Sequence, residues 1–447
     1  MATDSTIMDS NSFKMSDIDK LTPELKAMVK RREILGEAYR LFYKEPLDFE
    51  EGHGTKLYTP DGTEYLDAYN NIPSLGHSRK EIQEAVSKQL TKINTHTRYL
   101  NQNILNYAED LLATFPEELN RVMFMLSGSE ANDLAVRVAK AATGGEGIIV
   151  TAEAYHGNTD LITRLSPSIG SDVPMDIAMR MIPTPDTYRL GTDDLGDWMA
   201  EQVEEQIADM KRHGIKFAGI MLDSIFSSDG IFPGKKGLLK PVIDMVHKHG
   251  GIYIADEVQP GFGRTGETFW GFQRHGIVPD LVTMGKPMAN GIACSALVAK
   301  ADLLKEFSKT TPYFNTFGGS PVAMAAAQAT LNTMKKDNTQ ENSLERGKEL
   351  VSKISDLAKK YPVLGDVRGA GLYVGVDIVK PGTKDADYNY AVRLIETMRE
   401  NHVLLSLCGP YGNVLKIRPP LVFSKEDVIR FTEMLEKSLN EMEEEKE

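Results

Sequence analysis

Three short stretches gather residue types that do chemistry. The first is Met125–Asp133, MLSGSEAND, where a strand pattern ends and a helix pattern opens after Ser127. Ser127 and Glu130 have capping-box spacing. Gly128 lets the backbone approach a ligand, and Ser129 adds a hydroxyl. Such a helix start presents free N–H groups and a positive dipole end to an anion, typically a phosphate. An ordinary N-cap uses the same residue types. The second stretch is Ile254–Gly266, IADEVQPGFGRTG, with Asp256 and Glu257 at the tip of an apolar strand. A carboxylate there can hold a cationic ring nitrogen or a metal. No His or Cys stands at ligand spacing, which argues against a metal. A glycine-rich surface turn is the plainer alternative. The third is Thr283–Gly291, TMGKPMANG, in which Lys286 follows another apolar strand and Pro287 biases it away from helix. Most lysines are exposed. One that is buried has its pKa lowered and becomes a nucleophile toward carbonyls.

The constellation is more specific than its parts. An anion cradle, an acid at one strand tip and a lysine at another, 30 residues later, form the set that pyridoxal phosphate (PLP) requires. The lysine would carry the cofactor as a Schiff base. The carboxylate would keep its ring nitrogen protonated, so that the ring can accept electrons.

The elements that must position these residues follow from the apolar pattern. Short apolar runs at 147–152, 218–223, 251–256, 280–284 and 295–299 have strand length. Amphipathic helical stripes lie between them or just before, including Ile104, Ala108, Leu111 and Leu112, and Ala131, Leu134, Ala135 and Val138. Apolar strands separated by helices predict a mostly parallel sheet covered on both faces. Such sheets bind ligands beyond the carboxyl ends of their strands, where the three stretches fall. Upstream, residues 22–43 read as a helix, and Asp61-Gly62 marks a hairpin between two short strands. Residues 1 to about 20 read as a polar arm, and EMEEEKE at the end as a fraying, solvated tail. The division expected is an N-terminal arm and small-domain segment at 1–70, a large domain at 71–325 and a small α+β domain at 326–447.

A net charge of −13 argues against nucleic acid and anionic membrane surfaces as partners. Two cysteines, Cys294 and Cys408, do not make a disulfide framework, which fits a reducing compartment. The polar N-terminus resembles neither a secretory nor a transit signal, and no run of ~18 apolar residues occurs. The expected location is cytoplasmic.

From about residue 30 onward the chain resembles the class III aminotransferase family of fold-type I PLP enzymes. The likeness lies in SGSEAND, AYHG (154–157), ADEVQPGFGRTG, TMGKP, FNTFGG (314–319), GDVRGAGLYVGV (365–376) and LKIRPPL (415–421). It implies an α/β fold: a large domain with a mostly parallel seven-stranded sheet plus a smaller α+β domain. By resemblance, Gly128 and Ser129 hold the cofactor phosphate, Tyr155 stacks on the ring and Asp256 pairs with the ring nitrogen. Gln259 approaches the phenolic oxygen, and Lys286 is the Schiff-base lysine and proton shuttle. Thr316 reaches the phosphate of a neighbouring subunit, which implies a homodimer. Arg418 binds a substrate anion, and Asn70, Asn71 and Ile72 face a polar amine substrate.

The reaction branches after the first proton transfer, and the shared machinery does not choose a branch. Many ω-amino-acid aminotransferases of the family carry Glu-Pro-(Ile/Val)-Gln-Gly-Glu, whose second Glu pairs with the substrate arginine. Residues 223–230 here read DSIFSSDG, with Ser228 in that place. Arg418 is then expected to be a permanent anion clamp for carboxylate, phosphate or phosphonate. The stretches TRYLNQNILNYAEDLLATFPEEL, FWGFQRHG and GPYGNVLKIRPPL resemble the branch of phospho-lyases acting on ethanolamine phosphate and phosphohydroxylysine. Ammonia-lyases of hydroxylated aminoethylphosphonate are related to that branch. The reading favours a lyase releasing ammonia or phosphate from an aminoalkyl phosphonate or phosphate. The alternative is an aminotransferase with pyruvate, glyoxylate or 2-oxoglutarate as acceptor.

Overall fold

The computed structural model describes residues 11–444. Three short strands come first: β1 (Glu51–His53), β2 (Lys56–Tyr58) and β3 (Glu64–Asp67), paired antiparallel. Between β2 and β3 lies the Asp61-Gly62 turn, with Gly62 at φ +84° and Asp61 accepting from the Thr63 N–H at 3.1 Å. The helix expected over 22–43 is shorter. It spans Pro23–Arg32, and Gly36 at φ +78° closes the 3₁₀ turn that follows. Beyond it the chain is extended: Phe13 N donates to Leu41 O and Tyr43 N to Asn11 O, both at 2.8 Å. The apolar residues that imitate a helical face there belong to a paired, extended segment. Residues 1–10 of the expected arm lie outside the described residues.

The centre is a seven-stranded sheet of β4 (Arg121–Met125), β5 (Gly147–Thr151), β6 (Met179–Ile182), β7 (Phe217–Asp223), β8 (Ile252–Asp256), β9 (Leu281–Met284) and β10 (Ser295–Ala299). The spatial order is β4-β10-β9-β8-β7-β5-β6, and only β10 runs against its neighbours. Alternate residues go to opposite faces. Tyr253, Ala255, Val282 and Met284 enter one core, while Ile254 and Leu281 enter the other with the helix Gly128–Thr143. Each fully buried aliphatic side chain stabilises the fold by roughly 1.5–3 kcal/mol. Both faces must therefore be covered, and helices cover both.

The small domain holds β11 (Leu364–Gly369), β12 (Val374–Ile378), β13 (Val403–Leu404), β14 (Ser406–Cys408) and β15 (Val414–Ile417). Four of these pair antiparallel in the order β11-β12-β15-β14, and β13 instead joins β3 in parallel. Leu66 and Ala68 share its core with Leu394 and Ile417, so the segment before residue 70 packs with the C-terminal part. The helix Pro321–Lys336 carries Met324, Ala327 and Leu331 into the large core, beyond the boundary expected at 325. The chain passes to the small domain at Asp337–Asn338, where Asn338 takes φ +49°. The last helix runs Lys425–Glu444 and buries Met442, so the first four residues of the tail expected to fray are helical, and 445–447 lie outside the described residues.

Candidate active site

The carboxyl ends of β7, β8 and β9 come together on one edge of the sheet. In register, Asp223 stands beside Asp256, and Asp256 beside Thr283. A cavity of about 390 Å³ opens there, lined by Gly128, Ser129, Tyr155, Asp256, Gln259 and Lys286 among others. These expected residues thus converge, although they come from four separate elements and their loops.

The floor begins at the helix Gly128–Thr143. Ser127 caps it: its Oγ accepts from Glu130 N at 3.3 Å, and the Glu130 carboxylate accepts from Ser127 N at 2.9 Å. This leaves the N–H groups of Gly128 and Ser129 at the open end of the helix, facing the cavity. The glycines are sterically required. A Cβ on Gly128 would lie 2.9 Å from Val258 Cγ2, and one on Gly157 would lie 2.5 Å from Ser129 Oγ. The Ser129 hydroxyl accepts from Asn158 N at 3.1 Å and keeps its own proton to donate.

Asp256 is buried and fully organised. Its Oδ2 accepts from Asn132 Nδ2 at 2.9 Å and lies 2.7 Å from His156 Nδ1, and its Oδ1 accepts from Val258 N at 3.1 Å. A carboxylate offers about four acceptor sites, so one remains for a cationic ring nitrogen. Asn132 is fixed in turn: Thr283 Oγ1 donates to its Oδ1 at 2.5 Å, and its Nδ2 also donates to His156 O at 2.7 Å. His156 and Asn132 were not singled out from sequence. His156 stands in the AYHG stretch, but nothing local marks either as a partner of Asp256.

Lys286 opens a short 3₁₀ turn with φ +29°, in the left-handed region that L side chains rarely adopt. Pro287 was expected to hold it out of helix; the turn instead starts at Lys286 itself. The side chain is half-buried at the tip of β9. Burial lowers its pKa to about 8, and Arg418 pushes in the same direction, against Asp256 and Asp223. Tyr155 is also half-buried and lines the cavity, with burial raising its phenol.

The small domain reaches the site through Arg418, which does not itself line the cavity but is joined to Gln259, which does. Arg418 is buried, and its Nη1 donates to Gln259 Oε1. Its guanidinium carbon sits 4.4 Å from the centre of the Tyr69 ring, a cation–π contact. Its Nε is buried with no hydrogen-bond partner among the described residues. Gln259 is held from both sides: Tyr373 donates to its Oε1 at 2.9 Å, and its Nε2 donates to Ser227 Oγ at 2.7 Å. Ser227 donates onward to Asp223, whose pKa burial raises to about 6, helped by Asp256.

The other expected residues are divided between the cavity and its surroundings. Ser228 is buried, and its backbone carbonyl accepts from Gly409 N at 3.1 Å; its neighbour Ser227 is the one joined to Gln259. Asn71 is buried, Ile72 lines the cavity, and Asn70 turns back to Asp67 through 3.1 Å bonds. Thr316 is exposed and does not line the cavity.

Comparison with known proteins bears on this geometry. The sequence profile of aminotransferase class-III matches residues 42–439. The chain is 34% identical over 434 residues to ethanolamine-phosphate phospho-lyase homolog 1 of Caenorhabditis elegans, covering 92% of this chain and 93% of that one. It is 34% identical over 416 residues to an alanine–glyoxylate aminotransferase 2-like protein of Drosophila melanogaster, covering 90% of this chain and 84% of that one. A solved phospholyase from Arthrobacter, in complex with phosphoethanolamine, has a TM-score of 0.89 at 38% identity, covering 92% of this chain and 99% of the other.

Proposed function

The chain belongs to the class III aminotransferase family, a family of PLP enzymes, and from that premise we propose that it is a lyase acting on a small amine that carries a phosphate or phosphonate. The observation that carries this reading is Arg418. Among the described residues no carboxylate pairs with it; its partners are the neutral Gln259 and Tyr69. A site that must take two unlike substrates in turn needs a way to neutralise such a cation. A site that takes one anionic substrate and expels a fragment does not. The likeness to the C. elegans and Arthrobacter proteins supports the same reading.

The residues suit the cofactor. Gly128 and Ser129 would hold its phosphate, Asp256 its ring nitrogen, Tyr155 its face and Lys286 its aldehyde carbon. When bound, PLP supplies an electron sink for charge developing on the substrate carbon. Lys286 would remove the proton from that carbon; an amine with its pKa near the working pH is matched to this task. Asp256, braced by His156 and Asn132, keeps a proton on the facing ring nitrogen. Arg418 orients the anionic end and stabilises negative charge on a departing phosphate. Ethanolamine phosphate and hydroxyaminoethylphosphonate are the substrates this arrangement suits.

The same reading includes a homodimer, in which Thr316 completes the phosphate cradle of the neighbouring subunit. Its flanking residues Phe314 and Phe317 are 51% and 63% exposed, a surface that gains by being covered. A cytoplasmic location belongs with it. No helix among the described residues is long and apolar enough to cross a membrane.

The aminotransferase alternative has the Drosophila relative in its favour. One assay separates the two. Purified holoenzyme is given ethanolamine phosphate or hydroxyaminoethylphosphonate with no keto acid. Continuous release of phosphate or ammonia is the expected result. A single turnover, rescued by pyruvate or glyoxylate, would make it an aminotransferase.

A further inference from the structure

A second cation shares the wall with Arg418. On β15 the side chains alternate: Leu415 and Ile417 enter the small-domain core, so Lys416 and, two residues on, Arg418 face the other way, where Arg418 meets the cavity-lining Gln259 and Lys416 feels the charges of the cavity-lining Lys286 and Asp223. Val414 on that same face packs with Ile225, Tyr373 and Cys408 between the two domains. Lys416 is 5% exposed and Arg418 8%. Lysines are rarely buried this deeply without an ionic partner, yet neither residue is in an ion pair among the described residues. The charged and titratable groups acting on Lys416 are Arg418, Cys408, Lys286 and Asp223. Its neighbours across the sheet are Gly375 and Ser406, which bring no charge.

An unpaired buried cation costs stability unless a ligand repays it. Asp223 is the only carboxyl among those groups, and it already accepts from Ser227. Asp256 is committed to His156, Asn132 and the ring position. A carboxylate brings one negative charge, which Arg418 alone can match. A phosphate monoester brings nearly two near neutral pH, with three acceptor oxygens.

We propose that Lys416 and Arg418 form a two-cation seat that selects a doubly charged phosphate or phosphonate over a singly charged carboxylate, a proposal that rests on the reading of Arg418 as an anion clamp. Lys416 is the specificity-determining member. Burial and the Arg418 charge lower its pKa to about 7. Without an anion it is therefore largely neutral above that pH, and a dianion seated beside it draws a proton onto it.

The test uses holoenzyme at pH 8 and two amine-free probes, ethyl phosphate and butyrate, measured by calorimetry in buffers of different ionisation enthalpy. Lys416→Met is expected to weaken ethyl phosphate by about 10- to 100-fold, the range for loss of a charged hydrogen bond. Butyrate should change by less than about 3-fold, since its single charge stays on Arg418. The parent should take up about one proton on binding ethyl phosphate, and Lys416→Met none. Lys416→Arg should keep the preference for phosphate without the proton uptake. Equal weakening of both probes, unchanged ethyl phosphate binding, or proton uptake that survives in Lys416→Met would overturn the proposal. Should Lys416→Met lose its cofactor absorbance through misfolding, the parent and Lys416→Arg decide, because a parent that takes up no proton also overturns it. Arg418→Met should lose both probes. If it keeps both, the clamp reading fails instead, and that result is distinct from any failure at Lys416.

Discussion

The two walls of the site are built on opposite plans. On the Asp256 wall the charge is met: Asn132, His156 and Val258 N converge on one carboxylate and Thr283 holds Asn132, while the far nitrogen of His156, Nε2, is buried without a partner among the described residues. On the Arg418 wall, charge is left over. Arg418 has a buried Nε without a partner, and Lys416 lies beside it as a second buried cation. A wall whose charge is met by its own neighbours would hold its shape for a group that stays through many turnovers. A wall with unmet charge waits for a group that comes and goes. Under the proposed function, the difference would separate the residues that retain a cofactor from those that choose a substrate.

Lys286 stands between the two walls, so its loss should have the largest effect. Lys286→Ala is expected to remove the visible absorbance of the lysine-linked cofactor and to lower turnover by ~10²–10⁴-fold, the range for a positioned acid–base group. An unchanged visible band in the variant would break the assignment. Next is Asp256→Ala, which bares His156 Nδ1 and one of the two Asn132 Nδ2 donors in the interior, the other staying on His156 O. Each bared donor costs about 1–3 kcal/mol, so thermal unfolding should shift down together with cofactor retention. Arg418→Ala should behave in the opposite way. It removes a cation that the fold leaves partly unpaired, so KM for the anionic amine rises by roughly 10- to 100-fold while stability holds. If kcat/KM is unchanged, or if Arg418→Ala unfolds as readily as Asp256→Ala, the contrast between the walls is wrong.

The smallest effect is in pH. The Lys286 pKa is lowered to about 8, so its amine is protonated below that pH and becomes a free nucleophile as pH rises through it. The rate of cofactor uptake by apoenzyme should therefore climb with an inflection near 8 instead of the ordinary lysine range. Arg418 helps to lower that value, so Arg418→Met should move the inflection upward. An inflection that does not move would mean that the two walls do not communicate electrostatically.

What could be read in the sequence was what lies close along the chain. Asp256 and Lys286 each follow an apolar run, so their place at strand tips was legible, as was the capped helix start at Ser127. The parallel sheet followed from the same runs. β6 was not foreseen, because Arg180 interrupts it and Met181 is exposed at the edge of the sheet. The helix over 22–43 was drawn too long, because Leu41 and Phe42 keep an apolar rhythm while belonging to an extended pair with the first described residues. The shell around Asp256 was invisible for another reason. Asn132 and His156 lie 124 and 100 residues from it, and a buried amide or imidazole has no local pattern that names its partner. Arg418 came only through family likeness, and Lys416, two residues before it, passed unremarked inside the same motif.

The pairing of β3 with β13 has a consequence for how the molecule is made. Val403 and Leu404 lie against Leu66 and Asp67, and Arg418 N donates to Ala68 O at 2.9 Å. On the ribosome, β3 emerges early and its edge stays bare until the far end of the chain arrives. Gly128, Asp256 and Lys286 are all translated before Lys416 and Arg418. Under the proposed roles, a growing chain would thus hold its own share of the coenzyme's place before it has any grip on an anion. Only a chain translated past β15, as far as Arg418, carries both cations of the proposed seat.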